Sequence, residues 1–321
     1  MATTNTKNIV DYVNDFITQI EKEKLDTCLV IELMIKALGK KIEEKEIVME
    51  AVKKDGRALR SASKELRNNP EIVMEAVKQW GYALGYASKE LQNDREIVME
   101  AIKHDGDALG DASKELQNDR EFVMEAVKQG NNEFGSAFGH ASKELRNDRE
   151  IVMEAVKQNG EALEYASKEL QNDREIVMEA VKHWGRVLEC VSKELQNDRE
   201  IVMEAVKQGN NGYALEGALG YASKELQNDH EIVMEAVKQD GNALRRASKE
   251  LRNDHEIVME AVKQGGNAFC WVSNELKNDR EIVMEAVKQN GEALYWTPDP
   301  EFRNDREIVM EAVKHDGGAL E

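Results

Sequence analysis

The stretch Glu-Ile-Val-Met-Glu-Ala-Val-Lys, residues 71–78, decides the fold because it recurs along the chain. Eleven copies are present; one has Ile102 in place of the second Val, and another has Phe122 in place of Ile. Seven of the ten steps between successive copies are 25 residues long. Such a period predicts a stacked array in which each repeat contacts only its neighbours. We number the repeats 1 to 11 from their starting residues, Glu46, Glu71, Glu96, Glu121, Glu150, Glu175, Glu200, Glu231, Glu256, Glu281 and Glu307.

The first half of repeat 2 predicts a short α-helix that begins after Asn69. Proline is favoured at the first helical position, where its missing N–H would be unbonded in any case, so Pro70 places Asn69 at the N-cap. The apolar residues that follow cover about half of the helix circumference, and a stripe this wide suits a helix covered on both sides by neighbouring repeats. These residues are Ile72, Val73, Met74, Ala76 and Val77.

The second half of repeat 2 predicts another helix, from Tyr82 to Leu91. We expect Gly81 to end the first helix, as glycine does after a C-cap. Apolar residues then follow at helical spacing, and Gln92 and Asn93 form the loop to the next cap. Each repeat is therefore predicted to be two helices of about ten residues, which are too short to be stable alone in water.

The predicted fold class is all-α: an α-solenoid of about eleven 25-residue two-helix repeats over residues 45–321, with the last repeat incomplete. Residues 1–44 lack the octamer but carry an amphipathic stretch, and we predict that they form an N-terminal helical cap. In repeat 10, Pro298 and Pro300 are expected to break the second helix. Repeats 4 and 7 carry insertions of four and six residues, which are either part of a binding face or neutral additions to a loop.

The composition limits the partners that this chain can bind. Its net charge of −19 repels phosphate backbones and anionic lipid surfaces, so no nucleic acid and no membrane is expected as a partner. A basic or neutral protein is the partner class that remains. The three cysteines and six histidines show neither a disulfide framework nor metal-ligand spacing, so no metal or cofactor is predicted.

The ends of the sequence bear on localisation and assembly. No signal peptide is recognisable, and the most apolar run, residues 28–38, is too short to span a bilayer. We therefore expect a cytoplasmic protein, although secretion by a route without a signal peptide would leave the same sequence. The array ends without a polar closing cap, which leaves three interpretations: a frayed end, contact with another copy as a homo-oligomer, or a truncated product.

A row of variable positions is the candidate binding site. The clearest positions are the two residues before each Ala-Ser, such as Gly85-Tyr86 in repeat 2. On a helical wheel this pair points away from the apolar stripe, which predicts a solvent-facing row of residue types common at binding hot spots. Alternatively, the rings lie over the neighbouring repeat, or the positions vary without function. The candidate binding residues are Tyr86, His140, Tyr165, Tyr221, Arg245, Arg246, Trp271 and Trp296.

No catalytic residue is assigned. Ser-Lys-Glu-Leu recurs in eight repeats, and a Ser-Lys pair can supply a nucleophile and a base. Adjacent helical residues do not face one another, however, and an active site is not needed eight times. The chain is therefore expected not to be an enzyme.

One complete unit carries the resemblance to a known family. Residues 147–170 read Asn-Asp-Arg-Glu-Ile-Val-Met-Glu-Ala-Val-Lys-Gln-Asn-Gly-Glu-Ala-Leu-Glu-Tyr-Ala-Ser-Lys-Glu-Leu. The cap, the octamer, the turn glycine and the Ala-Leu, Ala-Ser and Glu-Leu pairs all resemble the domain-of-unknown-function 4116 repeat, over residues 45–321. The resemblance implies domains of two units each, and it implies no catalytic or ligand residue.

Two functions follow as hypotheses. The first is a non-enzymatic scaffold that binds another protein along its extended face, because the core positions are constant and the variable positions cluster. The alternative is a structural or self-assembling spacer that uses its uncapped C-terminal end.

Overall fold

The computed structural model describes residues 44–129, 136–208 and 217–315, and every regular element within these ranges is helical. The predicted all-α repeat solenoid is confirmed. The predicted cap, residues 1–44, lies outside the described residues except for its last position, as do the two insertions and residues 316–321. One α-helix opens each repeat: Glu44–Lys54, Pro70–Gln79, Arg95–His104, Arg120–Lys128, Arg149–Gln158, Arg174–Val181, Arg199–Lys207, His230–Gln239, His255–Gln264, Arg280–Gln289 and Arg306–His315.

The α-helices begin where the sequence predicted. The Asn69 side chain accepts a hydrogen bond from the N–H of Ile72, and Pro70 occupies the first turn. Asp94 accepts from two backbone N–H groups at the start of the next helix. The caps satisfy N–H groups that the helix leaves unbonded, so the start of each helix follows from its local sequence.

The second segment of each repeat differs from the prediction. In repeat 2 it is a 3-10 helix over Gly81–Tyr86, and the chain is extended at Ala87 before a short 3-10 turn. The 3-10 helices are Gly56–Ser61, Gly81–Tyr86, Gly106–Asp111, Gly160–Tyr165, Gly185–Glu189, Gly241–Arg246, Gly266–Trp271 and Gly291–Trp296. Short α-helices, Ser136–Gly139 and Gly217–Tyr221, take this place in repeats 4 and 7. The short turns are Leu66–Asn68, Leu91–Asn93, Leu116–Asn118, Leu145–Asn147, Leu170–Asn172, Leu195–Asn197, Leu226–Asn228, Leu251–Asn253, Leu276–Asn278 and Pro300–Arg303.

A hydrogen bond between repeats explains why the second helix stops early. The N–H of Ser88 donates to the carbonyl of Arg67 in the preceding repeat at 2.9 Å. A continued helix would direct this N–H to its own chain, so the bond to Arg67 holds Ala87 extended. The Ser88 hydroxyl then accepts from the N–H of Leu91 at 3.3 Å and begins the short turn.

Two further expectations about this region are corrected. Gln92 was assigned to a loop, yet it is buried, and its amide donates to the carbonyl of Leu84 at 3.1 Å. It therefore caps the end of the 3-10 helix from the side. In repeat 10, the 3-10 helix ends at Trp296 as it does elsewhere, so Pro298 and Pro300 do not break it. Pro300 instead opens the following short turn.

The turn glycine is needed for close packing and not for a C-cap. Trp80 ends the α-helix in an extended conformation, and Gly81 starts the 3-10 helix. A β-carbon on Gly81 would lie 2.7 Å from the carbonyl oxygen of Ala101 in the next repeat, and one on Gly241 would lie 2.2 Å from that of Ala261. Only a residue without a side chain allows this approach.

The core is built from the α-helix stripe and the 3-10 helix. Ile72, Val73, Ala76 and Val77 are buried, as predicted, and Leu84 of the 3-10 helix is also fully buried. By its contacts the chain divides into two units, one up to Ser167 and one from Lys168. Within each unit, consecutive α-helices contact one another and the 3-10 helices between them.

Candidate functional site

The variable row lies at the end of the 3-10 helix, or of the short α-helix that replaces it. Six of the eight candidate binding residues are half-buried, whereas His140 and Arg245 are exposed. The half-buried residues are Tyr86, Tyr165, Tyr221, Arg246, Trp271 and Trp296. The row is therefore accessible in part and covered in part.

In the first unit, three side chains at the second position of the variable pair each lie over a glycine of the preceding repeat. A β-carbon on Gly110 would lie 2.9 Å from the ring of His140, and one on Gly139 would lie 3.0 Å from the ring of Tyr165. Asp111 lies over Gly85 in the same way. Here the second residue of each pair rests on the first residue of the preceding pair.

In the second unit, the same register brings charged side chains and rings together. The Arg245 guanidinium lies 5.1 Å from the centroid of the Trp271 ring, within range for a cation–π interaction. Two repeats earlier, Arg186 donates a hydrogen bond to Glu189 of the same repeat at 2.9 Å. This bond and a second one from Tyr221 hold the pKa of the Glu189 carboxyl below its ordinary value, against the smaller opposing effect of burial.

Tyr165 and Trp271 therefore lie against the neighbouring repeat, which was one of the alternatives left open by the sequence. Each is still half-exposed, so contact with the neighbour and contact with a partner are compatible. Whether the eight residues bind a partner stays a prediction.

An aromatic cluster in repeat 2 extends the row beyond the predicted residues. The Trp80 ring lies 5.7 Å from that of Tyr82 and 6.1 Å from that of Tyr86, between centroids. Tyr82 is 36% exposed. Neither Trp80 nor Tyr82 is among the binding residues predicted from the sequence. The signal in the sequence was the stretch Trp80-Gly81-Tyr82, which places two aromatic residues at turn positions that vary between repeats.

Three aspartates of repeat 3 adjoin this cluster. The Tyr82 hydroxyl donates to Asp107 at 3.2 Å. Burial of the phenol and the negative charges of Asp107, Asp105 and Asp111 raise the pKa of Tyr82 to about 12. Burial also raises the pKa of the Asp105 and Asp111 carboxyls. The turn region of repeats 2 and 3 thus combines aromatic rings with partly buried negative charge.

The repeats match a known protein family. A family model described as Domain of unknown function (DUF4116) matches seven segments: residues 44–92, 94–135, 131–171, 173–218, 210–252, 254–299 and 279–321. The chain belongs to the DUF4116 family. Each match spans about two of the repeats defined above, as the resemblance implied. No curated protein matches the chain in sequence.

The constant serine of the DUF4116 repeats has a structural role. Besides starting the short turn, its hydroxyl donates in seven of the described repeats to the Asn side chain at the end of the preceding repeat's short turn, as Ser248 does to Asn228 at 2.5 Å. The adjacent lysine bonds to the buried glutamine, as Lys89 does to Gln92 at 2.7 Å. The serine therefore joins neighbouring repeats, and the lysine acts within its own repeat.

A second recurrent contact of the DUF4116 repeats lies where the α-helices begin. Arg280 donates to Asp305 at 3.1 Å and to Glu307 at 2.5 Å in the next repeat. Arg95, Arg120, Arg174 and Arg199 make the equivalent pairs. In repeats 8 and 9 the position holds His230 and His255, 3.8 to 4.0 Å from the carboxylates.

The helices are short compared with a lipid bilayer. In residues 44–129, 136–208 and 217–315, no helix combines the length and the apolar character that a membrane span requires.

Proposed function

We propose that this DUF4116 array is a non-enzymatic cytoplasmic scaffold that binds another protein along the variable row. The observation that carries the proposal is the arrangement of the variable residues. Within each unit they contact one another in sequence order, from Asp111 on Gly85 to Tyr165 on Gly139, and at Arg245 on Trp271. A partly exposed surface of non-repeated residues on a repeated core, present within each unit, suits recognition of one particular partner.

The residue types in the row support protein binding. Tyr, Trp and Arg are enriched among residues that contribute most to protein–protein affinity. A half-buried ring is already ordered by its neighbour, so less conformational entropy is lost when a partner covers the rest of it. The net charge of −19 favours a basic or neutral protein and disfavours nucleic acid and anionic membranes.

The proposal is tested by affinity capture with the full-length chain and with a row variant. The variant replaces Tyr86, Tyr165, Tyr221 and Trp271 together by serine, which repeat 1 carries at the same position as Ser61. Proteins that co-purify with the wild-type chain are expected to be lost with the variant.

A control variant changes the same number of residues away from the row. Lys78, Lys103, Lys238 and Lys263 lie on α-helices and are exposed, and their replacement by glutamine is expected to leave capture unchanged. Capture that survives in the row variant, while circular dichroism shows an intact fold, would mean that the row is not the binding surface.

A second candidate is a self-assembling spacer, and one observation favours it. In the last described helix Met310 is 53% exposed, and Val309 and Val313 are half-buried where Val73 and Val77 are fully buried. A second copy that covers this face would form a homo-oligomer. Light scattering across a hundredfold range of concentration tests this candidate, and a constant monomer mass would rule it out.

A further inference from the structure

Two neighbouring repeats carry contrasting residues at the same three positions. Repeat 2 has an aromatic residue at each position, and repeat 3 has an aspartate 25 residues later each time. We call this surface the aromatic–acidic patch. It consists of Trp80, Tyr82 and Tyr86 in repeat 2 and of Asp105, Asp107 and Asp111 in repeat 3.

The packing of repeats 2 and 3 brings the two halves of the patch together. The Tyr82 hydroxyl bonds to Asp107. A β-carbon on Gly81 would lie 3.0 Å from that of Asp105, and Asp111 lies over Gly85. The carboxylates therefore stand beside the rings along the boundary between the repeats.

Two of the three carboxylates of the patch, those of Asp105 and Asp111, form no close ion pair among the described residues. Burial is the largest influence on the pKa of both carboxyls and raises it. Among the described residues, no Lys, Arg or His lies within 4.0 Å of the Asp105 or Asp111 carboxylate oxygens. A cation placed between the rings and these carboxylates would gain both attractions.

The second unit shows which cation fits such a position. Arg245 and Trp271 occupy adjoining row positions, and the guanidinium lies on the ring. In the first unit, Arg60 and Tyr86 occupy the corresponding positions. Within the described part of the chain the rings that carry a Lys or Arg are those of Phe122, Trp271 and Phe269, so the rings of the patch carry none.

We propose that the aromatic–acidic patch binds an arginine-containing segment of the partner protein. This inference rests on the protein-binding function proposed above. Arginine suits the patch better than lysine, because its planar guanidinium stacks on aromatic faces and pairs with a carboxylate through two hydrogen bonds. The nearby rings supply an apolar surface and the aspartates supply the charge.

The test uses the full-length chain and a fluorescein-labelled nonapeptide with three arginines separated by Gly and Ser. Matched peptides replace every arginine by lysine or by citrulline, which is isosteric and neutral. Fluorescence anisotropy is expected to show the tightest binding for the arginine peptide, weaker binding for lysine and about a tenfold or greater loss for citrulline.

Patch variants copy residues that other repeats already use, so the fold is retained. Asp107→Asn reproduces Asn242, and Asp111→Ser reproduces Ser61. The double variant is expected to weaken binding of the arginine peptide about five- to tenfold. Tyr82→Asn with Tyr86→Ser is expected to weaken it to a similar extent without a change of net charge.

A matched control separates the patch from diffuse attraction to an acidic protein. Asp240→Asn with Glu292→Asn removes two charges at equivalent turn positions of repeats 8 and 10 and is expected to change the affinity less than twofold. Equal losses in the control and the patch variant would refute the inference, as would equal binding of the arginine and citrulline peptides. The capture experiment above tests the protein-binding function separately. If a partner were lost with the row variant but bound normally by the Asp107/Asp111 variant, the protein-binding function would stand and the arginine-binding inference would be wrong.

Discussion

Each repeat has two edges: the start of its α-helix, and the turn and 3-10 helix that follow the α-helix. The two edges differ in how constant their contacts with the next repeat are. Where the α-helices begin, the same contacts recur: an aspartate caps the helix, and an arginine such as Arg174 reaches the cap of the next repeat, Asp198. Along the turn and the 3-10 helix that follow, each step differs: a histidine on a glycine, a tyrosine on a glycine or an arginine on a tryptophan. Caps and close backbone contacts accept few residue types, whereas a partly exposed side-chain contact accepts many. Positions that are constant between the repeats are therefore those that the fold requires. Positions that vary form the surface that can differ from repeat to repeat without loss of the fold.

The largest effect that tests this contrast is expected from substitutions at two adjacent glycines. Gly266 is a constant turn glycine, and a β-carbon there would lie 2.6 Å from that of Asn290 and 2.8 Å from its backbone nitrogen. Gly265 is at a variable position, where a β-carbon meets nothing within 4 Å. We expect Gly266→Ala to lower the free energy of unfolding by about 1–3 kcal/mol, because the neighbouring backbone must move. Urea denaturation followed by circular dichroism measures the change.

Gly265→Ala is the internal control for that experiment. Its backbone is extended, which any residue adopts, so the free energy of unfolding should change by less than about 1 kcal/mol. Equal losses for both variants would show that the constant glycine is not needed for packing between repeats.

A smaller effect, with a defined pH dependence, is expected at the helix-start edge. The hydrogen bond from Arg174 holds the pKa of Asp198 below its ordinary value, although burial opposes it. Asp198→Asn keeps a cap, as Asn69 shows, but removes the charge. Because the pKa of Asp198 is lower in the folded state, its stabilising contribution is present above the unfolded pKa of about 3.9 and is lost as the pH falls through the folded value.

We therefore expect Asp198→Asn to cost about 0.2–1 kcal/mol at pH 7, as exposed ion pairs do. The difference from wild type should shrink as the pH is lowered from 5 towards 3. Urea midpoints of both proteins at several pH values measure it. A difference that stays constant over this range would mean that the charge of Asp198 is not what stabilises the pair.

The smallest effect is expected from the same chemical change at the other edge. Asp240 caps a 3-10 helix at a variable position, and Asn159 and Asn290 already cap there in other repeats. Asp240→Asn should alter the free energy of unfolding by less than about 0.5 kcal/mol. If Asp240→Asn lowered the free energy of unfolding more than Asp198→Asn in the same denaturation series, the contrast between the two edges would be wrong.

The candidate site was predictable only in part. The row was recognisable because its residues vary while their neighbours do not, and this placed Tyr165 and Trp271 among the candidates. What they touch was not predictable, because it depends on how one repeat lies on the next. The aromatic–acidic patch was missed for the same reason: Tyr82 and Asp107 are 25 residues apart, and only stacking makes them hydrogen-bonding partners.

The sequence by itself determined the repeat, the all-α class, the helix starts at Asn69 and its equivalents, and the buried stripe. These depend on local preferences and on periodicity, which act within one repeat. The tertiary structure decided that the second helix is a six-residue 3-10 helix and that Gly81 serves packing. In both cases the deciding contact comes from a neighbouring repeat: the carbonyl of Arg67 for the second helix and the carbonyl of Ala101 for Gly81. A backbone contact between two repeats leaves no periodic signal in the sequence of a single repeat.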